Sequence, residues 1–290
     1  MLQFLANGVC AASTVSVVAL GFGLIYYVNR VFHIAHGAVY VTAGYVAFIT
    51  LASWKVPILL ALTSTVLASI LMGVLIEITV YGPLVRRKAS PAVTLVSSLG
   101  VYIAFVNFLA MCFGDERKIL RPGVAKTIEF HNVIVTEVQV AQVAVALFVI
   151  VFLYCFLFGT RYGRLGRAIA DNPTLASVLG INVTANRILV AGLGSALAGL
   201  AAFLASLHAG IDPTIGFSVV LAATVACIIG GIGNFLAPAL GALFIGILES
   251  LTVWQFSGKW SSATTFCLLI LFLIFRPQGF LGAEKRVTES

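Results

Sequence analysis

The sequence predicts an all-α protein, a polytopic bundle of about eight to nine transmembrane helices. Of its 290 residues, 61% are hydrophobic and only 9% are charged, and the mean hydropathy is +1.10. Soluble domains carry about 25% charged residues, so this composition lies outside that class. Apolar runs of about 18 residues or more recur along the chain, and in lipid they must be helical because every backbone N–H and C=O needs an internal partner.

Polar and Pro/Gly-rich stretches divide the chain into nine apolar segments, which we treat as one membrane domain over residues 1–290. In chain order they are Val9–Val28, Phe32–Ala52, Pro57–Tyr81, Ala92–Phe113, Val138–Phe158, Ile188–Leu207, Phe217–Ile232, Leu236–Trp254 and Ser261–Phe275. The second and seventh are dense in glycine or polar groups, so each is a candidate for a broken or re-entrant helix. Two loops are long enough to have their own structure, residues 114–137 and residues 159–187.

The basic residues predict an N-terminus outside the cell and a C-terminus in the cytoplasm, because Lys and Arg concentrate in cytoplasmic loops. In this orientation eleven of the 17 cations lie inside: Arg30, Arg86, Arg87, Lys88, Arg161, Arg164, Arg167, Arg187, Arg276, Lys285 and Arg286. The remainder lie outside: Lys55, Arg117, Lys118, Arg121, Lys126 and Lys259. Since the first basic residue is Arg30, the start lacks the charged region of a secretory signal, and its apolar run is expected to remain as a span.

Several function classes find no support in the sequence. The five cysteines are scattered singly through apolar segments, as small packing residues are. The net charge of +7 comes from short loops between spans, which indicates membrane orientation rather than nucleic-acid binding. There is no GxxxxGK[ST] loop for ATP and no HExxH or GxSxG motif. We therefore expect a protein that is not an enzyme, with no catalytic residue and no metal or other cofactor bound by this chain.

The loop of residues 159–187 is too polar to span a membrane, yet it contains helix signals. Asn172 is a good N-cap, Pro173 suits the first helical position, and Gly180 suits a left-handed residue just past a helix end. Together they predict a short helix over Thr174–Leu179. A helix of this length is marginal in water, so it either lies on its own membrane domain or docks a cytosolic partner.

The stretch "RVFHIAHGAVYVTAGY" places polar side chains in an apolar span. If it is helical, one stripe collects Arg30, His33, Gly37, Tyr40 and Gly44. Polar and small residues on one face suit a protein interior or a wet cavity better than lipid. Three roles remain open for the histidines at positions 33 and 36: a metal site, for which no further ligand lies nearby, a hydrogen-bonded structural pair, or the lining or gate of a permeation route.

Other polar residues also fall inside spans. Glu77 lies near the inner end of its segment, where we expect it to reach toward water or to bond locally. Glu249 lies toward the outer part of its segment, where it would meet a substrate ammonium group or make an interhelical contact. Ser97 and Ser98 are further candidates, although serines in spans often bond back to their own helix.

Five stretches, in the same order as in the family, resemble the permease subunits of branched-chain amino-acid ABC transporters, a family that also includes urea and short-chain amide permeases. They are "FHIAHGAVYVTAGY", "EITVYGPLVRR" followed by "LVSSLG", "RLGRAIADNPTLASVLGIN", "GGIGNFLAPALGALFIGILES" and "FRPQGFLG". The N-terminal half is most similar to the shorter, first-type permease. "ASVLGIN" resembles the Ala-xxx-Gly core of the cytoplasmic coupling segment of ABC importers, although Thr174 and Leu175 stand where Glu and Ala are common.

The resemblance implies a multi-pass subunit of the bacterial inner membrane. Its partners would be a second permease (a copy or a relative), two cytosolic ATPases that use ATP and Mg, and an extracytoplasmic substrate-binding protein. It implies a translocation path or gate at Phe32, His33, His36, Gly37, Tyr40, Ser97, Ser98 and Glu249. It implies ATPase coupling through Arg164, Arg167, Asp171, Asn172, Thr174, Ala176, Gly180 and Ile181.

The expected function is the translocation of branched-chain amino acids or related small polar solutes, driven by ATP hydrolysis in partner subunits. Two alternatives stay open. One is a urea or short-chain amide permease of the same family. The other is a stand-alone secondary transporter or channel, in which Glu77, Glu249 or the histidines couple an ion.

Overall fold

A computed structural model describes residues 1–120, 126–130, 133–231, 233–276 and 278–281. The α-helices in this part of the chain are α1 Leu2–Asn29, α2 His36–Phe48, α3 Ile58–Ile76, α4 Gly82–Arg86, α5 Pro91–Phe113, α6 Glu137–Gly159, α7 Arg161–Asp171, α8 Pro173–Val178, α9 Val183–Ala209, α10 Ile215–Gly230, α11 Ala237–Gln255 and α12 Ser261–Phe275. Two π-helical segments, Ile49–Ser53 and Glu77–Tyr81, follow α2 and α3, and a 3₁₀ turn, Gly258–Trp260, precedes α12.

The predicted membrane bundle is confirmed. Within the described residues, eight helical stretches are long and apolar enough to cross a membrane, and α10 is a further apolar helix of 16 residues. These nine stretches correspond one to one with the nine predicted segments. The second runs from His36 to Ser53 without a gap, with its last five residues π-helical, and whether it or the seventh is re-entrant stays a prediction.

The second span begins at His36, four residues later than predicted. Arg30 ends α1 in the left-handed conformation, with φ 54° and ψ 28°, which is uncommon for a residue other than glycine. The chain then turns through residues 31–35 before α2 starts. The predicted helical stripe is therefore wrong in its first part, because Arg30 and His33 precede the helix.

Helix α1 lies at the centre of the bundle, where it packs against α6, α9, α10 and α11. Its middle residues, such as Ala19 and Leu20, have no exposed surface. By contrast, α3, α6 and α12 carry exposed apolar side chains, among them Leu71, Phe148 and Ile274. Such surfaces are favourable against lipid tails, which are as apolar as leucine.

Several loops contact one another at the two ends of the bundle. These contacts group together loops that the charge distribution assigns to the same side of the membrane. On one side Gln3 Nε2 donates to the Ile134 carbonyl at 2.8 Å, and the backbones of Lys118 and Ile211 exchange hydrogen bonds. On the other side the Arg30 guanidinium donates to a carbonyl of α7 at 3.0 Å. The sequence correctly separates these sets, and which of them faces the cytoplasm stays a prediction.

The predicted outer loop contains a small antiparallel hairpin that the sequence did not indicate. Strands β1, Thr127–Phe130, and β2, Val133–Thr136, pair with Thr127 opposite Thr136. The second strand leads directly into α6 through a capping box, in which Thr136 and Gln139 bond each other's backbone N–H groups. Among the described residues, the hairpin is the only pair of β-strands, and Lys118 and Ile211 form one isolated antiparallel bridge.

The C-terminal segment closes the end of α10. Sixteen residues of α-helix reach about 24 Å, less than the roughly 30 Å of a bilayer's hydrocarbon core. The last carbonyls of this short helix, at Ile229 and Gly230, accept hydrogen bonds of 2.8 Å from the backbone N–H groups of Phe280 and Leu281. The Phe280 ring packs edge-on against Phe244 at 5.3 Å. The tail thus supplies donors that the helix itself lacks.

Candidate translocation and coupling sites

A buried hydrogen-bond chain links three elements beside the start of α2. The Tyr81 hydroxyl donates to Ser98 Oγ at 2.7 Å and lies 2.7 Å from Nδ1 of His33. Ser98 Oγ also accepts from the Ala35 backbone N–H at 2.9 Å. The chain therefore ties the turn before α2 to the π-helical end of α3 and to α5. Ser98 bonds across helices rather than back to its own.

His36 is the fully buried neighbour of this chain. Its ring centroid lies 5.3 Å from that of His33 and 6.3 Å from that of Phe22. The Val18 backbone is the acceptor within reach of the ring, but the contact does not have the geometry of a full hydrogen bond. Buried polar groups are bonded in the great majority of cases. A hydrogen-bonded structural role therefore fits His33 better than it fits His36.

The other predicted path residues on this stretch lie around the histidines. Phe32 is half-buried and stacks edge-on against Phe22 at 5.4 Å. Tyr40 is buried in the core, one turn further along α2. Gly37 lies against the backbone of Gly216 on α10, because a Cβ built on it would lie 2.6 Å from the Gly216 carbonyl oxygen. This contact is the closest backbone approach between α2 and α10 that involves a predicted path residue.

Ser97 and Glu249 do not join the histidine cluster through any hydrogen bond. Ser97 is half-buried beside Ser98. Glu249 on α11 accepts a hydrogen bond from the Thr265 hydroxyl on α12. Of the two roles considered for Glu249, the structure therefore contains the interhelical contact. In the part of the chain that the structure describes, no three His, Cys, Asp or Glu side chains group as a metal site would require.

Glu77 forms a buried ion pair that sequence reasoning missed. Its Oε1 accepts from Arg187 Nε at 3.0 Å, and its Oε2 accepts from Asn29 Nδ2 at 3.2 Å. The side chains of Glu77 and Arg187 are 4% and 12% exposed. The expectation that Glu77 reaches toward water is wrong. The only sequence signal was a carboxylate inside an apolar span, since Arg187 was counted as a loop cation.

The loop of residues 159–187 folds as its cap residues predict. Helix α8 runs from Pro173 to Val178, with Asn172 Oδ1 accepting from the Leu175 N–H at 2.9 Å. Gly180 follows with φ +81°, the left-handed conformation in which glycine has no steric cost. The predicted short helix, Thr174–Leu179, is confirmed to within one residue at each end. It follows α7, an 11-residue helix that carries the predicted arginines.

The predicted coupling residues differ in exposure. Those with exposed side chains or backbone are Arg164, Asp171, Asn172, Thr174 and Gly180. Arg167 and Ile181 are half-buried, and the Arg167 guanidinium lies 4.6 Å from the Phe158 ring centroid. Ala176 is buried under α8. The predicted coupling residues therefore include some that are exposed to solvent and others that pack against the rest of the protein.

Three exposed apolar residues on this surface were not predicted. Leu175, Val178 and Leu179 are 55%, 78% and 72% exposed. We call these three the α8 apolar patch. Beside it, a cavity of about 450 Å³ is lined by residues of the loop and of α9, including Tyr162, Leu179 and Asn186. Exposed apolar patches rimmed by polar residues mark surfaces that contact a protein or a membrane.

Asp212 is the best-satisfied carboxylate on the opposite side of the bundle. Its Oδ1 accepts from the Thr214 hydroxyl at 2.8 Å and from the Ile215 N–H at 3.0 Å, and its Oδ2 accepts from Arg117 at 3.1 Å. Burial acts to raise the pKa of Asp212, but the hydrogen bonds from Thr214 and Arg117 and the charge of Arg117 outweigh it and hold the pKa below the usual 3.8.

This arrangement predicts acid sensitivity. Because the pKa of Asp212 is lower in the folded protein than in the unfolded one, its stabilising contribution is complete above the unfolded pKa and is lost as the pH falls through the folded pKa. We expect the melting temperature of the purified protein in detergent to exceed that of Asp212→Asn by a constant margin between pH 5 and 7. Below about pH 4 the margin should shrink. A margin that stays constant to pH 3 would contradict the assignment.

Comparisons with known proteins agree with the resemblance seen in the sequence. Residues 4–273 match the family described as "Branched-chain amino acid transport system / permease component". The chain is 32% identical to the high-affinity branched-chain amino acid transport system permease protein BraD of Pseudomonas aeruginosa, an alignment that covers 98% of this chain and 96% of that protein. It is 31% identical to the corresponding LivH protein of Escherichia coli K12, with the same two coverages.

One solved structure shows the same fold at low sequence identity. PsaBC from Streptococcus pneumoniae, in complex with Fab, aligns with a TM-score of 0.54 and 12% identity, covering 98% of this chain and 94% of that one. That likeness concerns the fold alone. The relatives and the eight long apolar helices together make the chain a multi-pass protein of the bacterial inner membrane. It belongs to the family of permease components of branched-chain amino acid transport systems.

Proposed function

We propose that this chain is the membrane-spanning subunit of an ABC importer that carries branched-chain amino acids into the cell. ATP hydrolysis would take place in two separate cytosolic ATPase chains, which use ATP and Mg, and this chain would bind no cofactor of its own. A second permease and an extracytoplasmic substrate-binding protein would complete the assembly. The orientation follows the charge distribution, with the N-terminus outside and the C-terminus in the cytoplasm.

The observation that carries the proposal is the α8 apolar patch on a capped loop of otherwise polar character. A helix of six residues is marginal in water without a partner or a supporting surface. The apolar side chains of the patch point away from the chain's own core, with more than half of each exposed. A lone secondary transporter has no need for such a surface, which favours an importer with a docked ATPase.

Within this function, the predicted path residues around the histidines would shape the route of the solute. His33 and His36, which are buried with their ring centroids 5.3 Å apart, support this assignment. The urea and short-chain amide alternative is less favoured, because both relatives compared above are permeases of branched-chain amino acid systems.

The test is purification of the tagged chain from native membranes in mild detergent, followed by reconstitution. We expect a second permease and an ATPase to co-purify, and vesicles containing the assembly to take up radiolabelled leucine only with ATP and the loaded binding protein. Leucine uptake by the chain alone, with no ATPase recovered, would overturn the proposal in favour of a secondary transporter.

A substitution in the α8 apolar patch sharpens the test. Val178→Asp should reduce the amount of ATPase recovered, because it places a charge where a partner would bury apolar surface. Ser177→Asp adds the same charge to the neighbouring exposed residue and leaves the patch intact, so it serves as the control. Equal recovery of ATPase in both variants would count against docking through this patch.

Replacing Gly180 tests the coupling loop separately. We expect Gly180→Asp to lower leucine uptake about tenfold, the equivalent of about 1.4 kcal/mol, while the amount of inserted protein stays the same. The aspartate adds charge at the docking surface and suits φ +81° less well than glycine does. Gly180→Asn tolerates the same backbone without the charge and should retain most uptake. Normal uptake by Gly180→Asp would contradict the coupling role.

A further inference from the structure

The π-helical segment Glu77–Tyr81 joins two buried polar clusters that lie at its opposite ends. Its first residue, Glu77, accepts hydrogen bonds from Arg187 and Asn29. The hydroxyl of its last residue, Tyr81, is hydrogen-bonded to His33 and Ser98. π-helical turns are rare and are frequently found at functional sites. The segment is therefore a direct backbone connection between the two clusters, so a movement of one cluster would displace the other.

The cluster at Glu77 belongs to the elements that flank the coupling loop. Arg187 lies in the first turns of α9, the helix that the loop leads into. Asn29 is the last residue of α1, and its amide also donates to the Arg187 carbonyl at 3.3 Å. The next residue, Arg30, donates to the Ala170 carbonyl of α7 at 3.0 Å. The end of α7 and the end of the loop are thus both bonded to the junction formed by Asn29 and Arg30.

The cluster at Glu77 contains buried polar atoms without hydrogen-bond partners. Arg187 Nη2 and Asn29 Oδ1 are buried without a hydrogen-bond partner among the described residues. Such groups are uncommon, and here both belong to side chains that bond to Glu77. A cavity of about 210 Å³ beside it is lined by Glu77, Arg187 and neighbouring residues of α4 and α9. The pair therefore has both spare bonding capacity and adjacent space for a second arrangement.

The cluster at Tyr81 controls the turn that starts α2. The tyrosine hydroxyl and Ser98 Oγ together hold His33 and the Ala35 N–H, and so fix residues 31–35. His36 and Gly37 follow directly, at the predicted route. A displacement of Tyr81 would therefore move the first residues of α2 relative to α10.

We propose that Glu77 and Tyr81 are positioning residues for transport: the π-helical segment transmits motion of the cytoplasmic loop, received through the Arg187–Glu77 pair, to the turn at His33 through the Tyr81 hydroxyl. The inference rests on the proposed function, in which a docked ATPase moves that loop. It assigns a role in transport to two side chains and to a backbone irregularity, in addition to the contacts that they make in the fold.

The experiment compares two variants that each remove one hydroxyl from the π-helical segment. Tyr81→Phe removes the link to His33 and Ser98. Thr79→Val removes an exposed hydroxyl that bonds only to the Leu75 carbonyl of its own helix. Both are made in the complete assembly, and leucine uptake and ATP hydrolysis are measured in the same vesicles.

We expect Tyr81→Phe to lower the number of leucines imported per ATP about tenfold, the equivalent of about 1.4 kcal/mol, with hydrolysis nearly unchanged. Thr79→Val should leave the ratio as in the wild type. A purely structural role of the hydroxyl would lower uptake and hydrolysis together, in proportion to the folded assembly, and leave the ratio unchanged. An unchanged ratio for Tyr81→Phe overturns the proposal.

A second measurement separates the relay from two independent effects. Arg187→Lys keeps the buried charge balanced but loses the Nε donor and the fixed geometry of the guanidinium. If both residues act in one relay, the double variant Tyr81→Phe, Arg187→Lys should be no worse than the poorer single variant. If the two single substitutions lower the number of leucines imported per ATP by factors that multiply in the double variant, the relay is contradicted. If Tyr81→Phe assembles poorly, His33→Phe removes the Nδ1 partner of the same hydroxyl.

The wild-type assembly distinguishes failure of the relay from failure of the proposed function. If it imports leucine with ATP and the loaded binding protein, the function stands and the variants test only the relay. If it does not, the proposed function fails, whatever the variants show.

Discussion

Replacing Gly37 by alanine is expected to abolish most of the folded protein. The new Cβ would lie 2.6 Å from the Gly216 carbonyl oxygen and 3.1 Å from the Tyr102 ring. Because the nearest atom is backbone, relief requires α2 and α10 to separate. Overpacking of a core costs about 1–3 kcal/mol when side chains can adjust, and here we expect about 3 kcal/mol or more. The measurement is the yield of monodisperse protein in detergent together with its melting temperature.

Gly100→Ala is the matched control. Gly100 lies within α5, and no atom lies within 4 Å of a Cβ built on it. Alanine should therefore be accepted without loss of yield or melting temperature. The converse variant, Gly216→Ala, meets the Gly37 carbonyl at 2.6 Å and should behave like Gly37→Ala. Equal stability of all three variants would contradict a close packing of these helices.

Replacing only one member of the Glu77–Arg187 pair should cause the second large loss of stability. Arg187→Met leaves the Glu77 carboxylate buried with only Asn29 as a partner. Removal of one member of a buried pair costs about 3–5 kcal/mol, because a charge stays in a medium that solvates it poorly. We expect a corresponding fall in melting temperature. Arg86→Met, which changes an exposed arginine at the rim of the same cavity, should have little effect.

The double variant Glu77→Leu, Arg187→Met removes both charges at once. Apolar replacement of a buried ion pair is often neutral or stabilising, so most of the lost melting temperature should return. Leucine uptake should remain low even in a stable double variant, because the proposed relay needs the pair itself. A stable and fully active double variant would show that the ion pair is dispensable.

The parts of the fold that depend on local sequence were predictable. The nine apolar segments follow from composition, and α8 follows from Asn172 at its start and Gly180 beyond its end, because caps act on the nearest backbone groups. The start of α2 was not predictable, since the apolar run continues unbroken through residues 31–35. The left-handed conformation of Arg30 ends α1 before this run. The periodicity of apolar residues does not predict a left-handed backbone at a single position.

The candidate site was predictable in its residue types but not in its connections. His33 and Ser98 were singled out because polar groups are costly in lipid. Their joint partner, Tyr81, escaped notice because a tyrosine at the end of a span is commonplace. Glu77 and Arg187 are 110 residues apart in the chain, so only the tertiary packing of α3 against α9 brings them together.

The bonds between the tail and α10 have a practical consequence for handling this protein. Residues 280 and 281 finish a helix that is too short to reach water by itself, so they form part of the membrane domain although they follow the last span. Deletion directly after residue 275 would leave the Ile229 and Gly230 carbonyl oxygens without the donors that they have here. Affinity tags and truncations at this terminus should therefore begin beyond Leu281.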